Sequence, residues 1–361
     1  TSQYAAAAQA VEDGFRGAAA AFPDPGAPQI LVYDIGSDPA AAAQYYRQAE
    51  QAGAQLIVGP LGIAAVNALV QAVTLRVPTL LLSHTAQPIR ATGADVFQFG
   101  LPPGQEARQV AQRAYIKGRR HAAVLFPATP SGQRVAAAFT AYWQQLGGTV
   151  PASQAYTPGL GDYGAPVDRL LNINQSLERH NQLQNLLHVP LKFESRRRQD
   201  IDMVFLVADA QDGRLIKPQL NFHHAGNLPV YSTSYIFTGI PDPVDDRDLD
   251  GITFGDMPWL LVGSGRMAVL RARLTNDQKY VNTPLDRLYA LGVDAYRLLP
   301  RLLTLSTNPA ARFHGATSTL TIGPGGIVHR QLVWARFRKG LPHLADRFLG
   351  RQGRFRSANQ E

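Results

Sequence analysis

The chain has 361 residues, of which 45% are apolar and 17% charged, with a formal net charge of +8 and no cysteine. This length suits two lobes with separate cores, and the composition is typical of a folded globular protein. The missing cysteine excludes disulfides, thiolate metal sites and a cysteine nucleophile. No run approaches the roughly 20 apolar residues that cross a bilayer, and no signal peptide opens the chain, so we expect any targeting segment to be removed or upstream.

The first part of the chain alternates helices with short apolar strands. The pattern predicts an Ala-rich helix over residues 3–21, helices over 39–52 and 63–75, and strands over 29–33, 55–58 and 77–82. The strands are continuously apolar and each is followed by a helix. This arrangement predicts a parallel sheet that is covered on both faces. Such a sheet normally begins with a strand, so we expect a first strand upstream of residue 1 or lost.

The same alternation repeats after residue 103. Predicted strands cover residues 122–126, 149–156, 201–207 and 229–231, with helices over 105–117, 132–146, 167–187 and 211–222. Two such series in one chain predict an α/β fold with two Rossmann-like lobes.

The last part of the chain has a different pattern. A predicted helix over residues 285–303 precedes two alternating runs, 317–322 and 327–337, on either side of a glycine-rich turn. These runs predict an antiparallel hairpin. The resulting division assigns residues 1–102 to the first part of lobe 1, 103–232 to lobe 2, 233–305 to the return to lobe 1, 306–345 to a hairpin of lobe 2, and 346–361 to a polar tail.

No catalytic constellation is recognisable. The chain has no Ser-x-x-Lys, no G-x-S-x-G, no Walker loop and no H-E-x-x-H. His223 and His224 are adjacent, and His180 and His188 lack the i,i+4 spacing of a helical ligand pair. The aspartates between Asp242 and Asp256 lack the spacing of a calcium loop. We therefore predict no enzyme, no metal site and no cofactor.

Polar residues follow several predicted strands, where ligands bind in open α/β sheets. Ser83 and Thr85 could hold a small polar ligand, or they could simply cap the next helix; both interpretations stay open. The candidate cleft residues are Gly59, Pro60, Leu61, Ser83, His84, Thr85, Pro127, Ser131 and Tyr235.

The basic residues are dispersed, apart from the run Arg196, Arg197 and Arg198. Dispersed charge favours a general solubility balance, although attraction to an acidic partner is the alternative. The run is either a solvated connector, paired with Asp200 or Asp202, or a docking site for an acidic partner surface. Nucleic acid is not predicted as a partner, because no basic helix with interleaved aromatics and no known binding signature is present.

Several segments of the chain are distinctive and occur in a fixed order: QYAAAAQAVEDGF (3–15), VGPL (58–61), GQEARQVAQRA (104–114), ESRRRQDID (194–202), GRLIKPQLNFHHAGNLPVYSTS (213–234), DLDGITFGDMPWLL (248–261) and LYALGVDAYRL (288–298). The order of elements resembles the type I periplasmic binding proteins, and these segments resemble the LppC family more closely. The resemblance implies two lobes of type I periplasmic-binding-protein architecture, joined by several crossovers.

The resemblance also implies a function. It implies an outer-membrane lipoprotein on the periplasmic side, which contacts a class A penicillin-binding protein and stimulates peptidoglycan synthesis. The family's N-terminal helical-repeat domain and lipidated cysteine are not in this sequence, which resembles the C-terminal module. The alternative is a receptor for an amino acid or a cell-wall fragment. It is weakened because Leu61, Gly62 and Ile63 stand where amino-acid receptors place hydroxyls, and each missing hydrogen bond costs about 1–3 kcal/mol.

Overall fold

The computed structural model describes residues 5–22, 29–188, 192–274, 283 and 285–346. Its strands form a three-stranded parallel sheet, a three-stranded antiparallel sheet and a seven-stranded mixed sheet. The two smaller sheets share one apolar core and belong to the first lobe. The seven-stranded sheet builds the second lobe. The predicted α/β class with parallel sheets is therefore confirmed, and buried apolar clusters lie in both lobes.

The first lobe begins with helices and then forms its parallel sheet. In chain order its elements are α1 (Ala5–Ala21), α2 (Ala41–Gln51), β1 (Ile57–Leu61), α3 (Ile63–Ala72), β2 (Thr79–Leu82) and β3 (Val96–Gln98). The strands lie in the order β1-β2-β3. The strand predicted over residues 29–33 is wrong: this part of the described chain pairs with no strand, and Leu31 and Val32 stay about half exposed.

The second lobe holds the next ten elements. They are α4 (Pro103–Ile116), β4 (His121–Pro127), α5 (Pro130–Gln145), β5 (Thr149–Tyr156), α6 (Gly164–Leu171), α7 (Ile173–Leu187), β6 (Met203–Leu206), α8 (Ala210–Leu220), β7 (Val230–Ser232) and β8 (Ile252–Asp256). β5, β4, β6, β7 and β8 are parallel neighbours. Strand β6 is buried at every residue, because helices cover both faces of the sheet.

The chain then returns to the first lobe, and its last two strands lie in the seven-stranded sheet. The remaining elements are α9 (Pro258–Leu261), α10 (Gly265–Leu274), α11 (Asp286–Leu298), α12 (Leu302–Thr307), β9 (Phe313–His314), β10 (Thr319–Ile322), β11 (Val328–Gln331), β12 (Val333–Arg338) and β13 (Leu341–Leu344). β10 and β11 form the predicted antiparallel hairpin. Its turn needs glycine at Gly326, where φ is +70° and a Cβ would lie 2.1 Å from the Val96 carbonyl oxygen.

Strand pairing departs from the predicted division at two places. β8 lies in the seven-stranded sheet, although residues 233–305 were assigned to the first lobe. The β10–β11 hairpin packs through Leu320 and Val328 on the core of the first lobe, although residues 306–345 were assigned to the second. The run 327–337 crosses between lobes, because β12 pairs with β8. Most of the predicted tail lies outside the described residues.

Helices α1 and α11 pack closely against each other in the first lobe. Two glycines make the approach possible. A Cβ at Gly14 would lie 2.1 Å from the Tyr289 carbonyl oxygen, and one at Gly292 would lie 2.0 Å from the Val11 carbonyl oxygen. Any side chain there would force the helix backbones apart. The pair of helices is therefore held at a distance that only glycine permits.

Candidate functional site

Three segments of the described chain cross between the lobes: β3 to α4, β8 to α9, and β11 to β12. Glu106, in the first turn of α4, binds residues near two of these crossings. One carboxylate oxygen accepts hydrogen bonds from the backbone N–H of Ser234 at 3.1 Å and from its hydroxyl at 2.8 Å. The other accepts from Arg330 Nη2 at 3.1 Å. Glu106 and Arg330 are only 5% and 4% exposed, so this is a buried charge pair between lobes.

Gln109, one helical turn after Glu106, binds the β11–β12 crossing directly. Its Nε2 donates to the Arg330 carbonyl oxygen at 2.8 Å, and its Oε1 accepts from the backbone N–H of Leu332 at 3.0 Å. Residues three apart in a helix lie on the same side, so one side of α4 makes both sets of contacts. Helix α4 of the second lobe is thus fixed to the hairpin of the first.

A second charge pair joins the lobes on the other side of Ser234. Arg287, on α11, donates through Nε to Asp256 at 3.2 Å, at the end of β8. Its Nη2 donates to the carbonyl oxygens of Ser234 at 3.1 Å and Phe237 at 2.9 Å. The Asp256 side chain is 1% exposed. Ser234 is therefore held by Glu106 from the second lobe and by Arg287 from the first.

The sequence did not single out these residues. Glu106 and Arg330 lie 224 positions apart, and an acidic residue in the first turn of a helix has an ordinary explanation in the helix dipole. In the sequence Asp256 is only the last of a series of aspartates without calcium-loop spacing, and the structure places it at the end of a buried strand. The only available signal was Arg330 in an otherwise alternating strand, at a position that the alternation assigns to the interior.

The candidates after β1 and β2 are engaged within the first lobe. Gly59 and Pro60 are joined by a cis peptide bond inside β1. The Thr85 hydroxyl donates to Asn67 at 2.5 Å and accepts from the backbone N–H of Gln87 at 3.0 Å. The Thr85 backbone N–H donates to Gln98 at 2.8 Å. These contacts favour a structural role for Thr85 in the turn. Leu61 ends β1, and Ser83 directly follows β2.

His84 lies partly buried beside the charge pair. Burial, followed by repulsion from Arg330 and His329, lowers the pKa of His84 to about 4. Its Nε2 is buried and has no hydrogen-bond partner among the described residues. His84 is therefore neutral near pH 7, and it adds no charge to the site.

The candidates of the second lobe lie at the start of α5 and after β7. Thr129 caps α5 by accepting from the backbone N–H of Gly132 at 3.1 Å, and the Ser131 hydroxyl lies 3.2 Å from that of Thr129. Pro127 ends β4. Tyr235 follows Ser234 in a short 3₁₀ turn, and its side chain is exposed. The structure thus brings Tyr235 next to the crossings, while Ser131 belongs to a helix cap.

The arginine run has mixed surroundings. Arg198 binds Asp200 through two hydrogen bonds of 2.7 Å. Arg197 donates to the His224 carbonyl oxygen at 3.0 Å, and Arg196 is exposed. Asp202 instead accepts from the backbone N–H of Arg120 at 2.7 Å. These contacts favour the connector interpretation for Arg197 and Arg198 and leave Arg196 facing solvent.

Over the described ranges, no group of three or more histidine, aspartate or glutamate side chains could hold a metal ion. Within the same ranges, no helix has both the length and the apolar character that crossing a membrane requires.

Two α/β lobes joined by three crossings, with parallel strands followed by helices, define the architecture of the type I periplasmic binding proteins. The chain belongs to the LppC family, because the family model described as "LppC putative lipoprotein" matches residues 1–340. This family membership and this fold confirm the resemblance that the sequence motifs indicated.

Relatives and solved structures agree with this assignment. The "Penicillin-binding protein activator LpoA" of Edwardsiella piscicida is 30% identical over 334 residues, which cover 88% of this chain and 46% of the relative. The LpoA protein of Vibrio vulnificus is 27% identical over 342 residues, covering 92% of this chain and 55% of the relative. The chain spans about half the length of these curated relatives.

The fold is shared with two kinds of solved protein. The LpoA C-domain of Haemophilus influenzae, described as a regulator of PBP1A, superposes with a TM-score of 0.69 at 22% identity, covering 95% of this chain and 97% of that one. An ABC transporter substrate-binding protein from Sphaerobacter thermophilus superposes with a TM-score of 0.64 at 16% identity, covering 96% and 94%. At these identities the likeness concerns the fold.

Proposed function

We propose that this chain is the part of a non-catalytic regulator that binds a class A penicillin-binding protein and promotes peptidoglycan synthesis. The observation that carries the proposal is the LppC match over residues 1–340, together with relatives named as penicillin-binding protein activators. The regulator acts on the periplasmic side of the outer membrane, anchored by an N-terminal lipid outside this sequence.

The contacts at the crossings support a binding role over catalysis. The buried ionisable groups there are matched with each other: Glu106 with Arg330, and Asp256 with Arg287. The Ser234 hydroxyl does donate to the Glu106 carboxylate, but Ser234 is only 4% exposed and Glu106 is also paired with Arg330, so neither group is open to a substrate. The proposal therefore assigns these charges to holding the lobes together.

The small-molecule alternative draws less support from the same region. Leu61 and Gly62 offer no side-chain hydroxyl after Pro60, and the hydroxyl of Thr85 already binds Asn67. A ligand carboxylate would have to break that contact to use Thr85. We therefore do not adopt the receptor function.

Purified protein and the periplasmic part of a class A synthase test the proposal. We expect association in a pull-down and faster glycan polymerisation by the synthase on lipid-linked precursor. A substrate-binding protein of the same fold serves as the control and should have no effect. Incubation of the chain alone with peptidoglycan should release no fragments. Absence of both association and stimulation would contradict the proposed function, and turnover by the chain alone would contradict its non-catalytic part.

A further inference from the structure

One surface of the first lobe gathers arginines around two aromatic rings. The Arg273 guanidinium lies 5.0 Å from the centre of the Phe22 ring, and that of Arg301 lies 5.7 Å from Phe313. Arg297 lies between them, 5.4 Å from Phe22 and 5.0 Å from Phe313. We call this surface, made of Arg273, Arg297, Arg301, Phe22 and Phe313, the Arg–Phe patch.

The patch has far more positive than negative charge. Arg273 and Arg301 are exposed and form no ion pair within the described ranges. Guanidinium groups are charged at any ordinary pH. Two cations of the patch therefore have no carboxylate partner in the part of the chain that the structure describes.

The carboxylate that lies beside Arg297 is already occupied. Asp294 lies 3.6 Å from Arg297, but it is buried and accepts from the backbone N–H groups of Ala316 and Thr317, each at 2.7 Å. It also accepts from the Thr317 hydroxyl at 2.7 Å. Asp294 thus serves the fold beneath the patch, and it balances Arg297 only in part.

Arg297 shows the consequence of this imbalance. Burial lowers its pKa, the neighbouring Arg301 lowers it further, and Asp294 opposes both. Its Nη1 is buried without a hydrogen-bond partner among the described residues. Like charges held this close repel each other, and an anion placed over them would relieve that repulsion.

Several other arginines of the molecule are paired with carboxylates. Arg271, close to the patch, binds Asp286 at 2.8 Å. Elsewhere the pairs are Arg198 with Asp200, Arg214 with Asp246, Arg287 with Asp256 and Arg330 with Glu106. Exposed arginines without an ion pair also occur elsewhere, as Arg134 and Arg338 do. The patch differs from them because it brings three arginines around two shared rings, and such a gathering of like charges points to a partner outside the chain.

We propose that the Arg–Phe patch binds an acidic polypeptide segment of a partner protein. The guanidinium fork matches a carboxylate with two parallel hydrogen bonds, and several arginines on one face fit several acidic side chains. An anionic membrane fits less well, because interfacial binding also inserts apolar side chains, and here the arginines cover the rings. Phe313 is 7% exposed, which also leaves no open ring for stacking on a base.

The test uses a fluorescein-labelled oligoglutamate peptide and its oligoglutamine counterpart, measured by fluorescence anisotropy at low salt. We expect the wild-type protein to bind oligoglutamate and not oligoglutamine, with affinity that falls as salt is added. The variant R273Q/R301Q should bind about tenfold more weakly, the effect of losing two partly exposed charge pairs. Its fold is checked by circular dichroism.

A matched control changes the net charge equally at another place. Arg134 on α5 and Arg338 on β12 are exposed and form no ion pair among the described residues, so R134Q/R338Q should bind within about twofold of wild type. The variant R273K/R301K keeps the charges and should retain most binding. The proposal is overturned if wild type does not bind oligoglutamate, if both glutamine variants bind alike, or if only phosphatidylglycerol vesicles bind in a patch-dependent way.

Discussion

The substitution E106Q removes the negative charge that the two lobes share while keeping the size of the side chain. The Glu106 carboxylate accepts three hydrogen bonds, two from Ser234 and one from Arg330. The glutamine amide has one acceptor oxygen, and its NH₂ group would face a donor group of Ser234 or Arg330. Arg330, 4% exposed, would then keep its charge in the interior without a counter-charge. Breaking a buried pair in this way costs about 3–5 kcal/mol of unfolding free energy.

Urea unfolding, followed by circular dichroism, measures this loss. The control is D200N, which removes a carboxylate from the Arg198–Asp200 pair. The Asp200 side chain is 57% exposed, so its loss should cost no more than about 1 kcal/mol. The double substitution E106L/R330M removes both buried charges and should recover part of the stability. The recovery is incomplete because the backbone N–H and hydroxyl of Ser234 lose their acceptor. If E106Q loses no more stability than D200N, the charge pair does not hold the lobes together.

Two further changes follow from close packing and from a shifted pKa. Gly292→Ala should lower the free energy of unfolding in urea by about 1–3 kcal/mol, because the added Cβ would lie 2.0 Å from a carbonyl oxygen of α1. Gly263→Ala is the control and should cost less, because there is open space around Gly263. The pKa of His84 is about 4 in the folded protein, against 6.5 in the unfolded chain. The contribution of His84 to the free energy of unfolding is therefore constant above about pH 6.5. Below that pH the unfolded chain takes up the proton first, so stability falls by up to about 3 kcal/mol as the pH drops to 4. In H84N that part of the pH dependence should disappear, and an unchanged profile would contradict the assignment.

The sequence predicted those features that depend on neighbouring residues. Strand β6 follows from an uninterrupted apolar run, and the β10–β11 hairpin follows from two alternating runs around the glycines at 323 and 325–326. Both signals lie within a few residues of chain. The family motifs add information because they are long and occur in order over most of the chain. Fold and family could therefore be predicted before any contact was known.

The predictions failed where a distant partner decides the outcome. The apolar run 29–33 looks like a strand, but in the described chain no strand lies beside it to accept its backbone hydrogen bonds. The alternation over 327–337 continues through Leu332, although the chain changes lobes there. The Glu106–Arg330 pair and the Arg–Phe patch both join residues from separate elements. The spacing of residues along the chain does not indicate which charged residue a distant segment will contact.

The two charge arrangements have opposite consequences for binding a partner. Glu106 and Arg287 satisfy buried charges between the lobes, so they fix the relative positions of the lobes without any ligand. A surface held in place loses less freedom on association and so binds more tightly. In the Arg–Phe patch of the first lobe, by contrast, Arg273 and Arg301 have no carboxylate partner among the described residues. E106Q should therefore weaken partner binding only as far as it lowers the stability of the fold. R273Q/R301Q should instead weaken oligoglutamate binding, while its unfolding midpoint stays close to that of R134Q/R338Q.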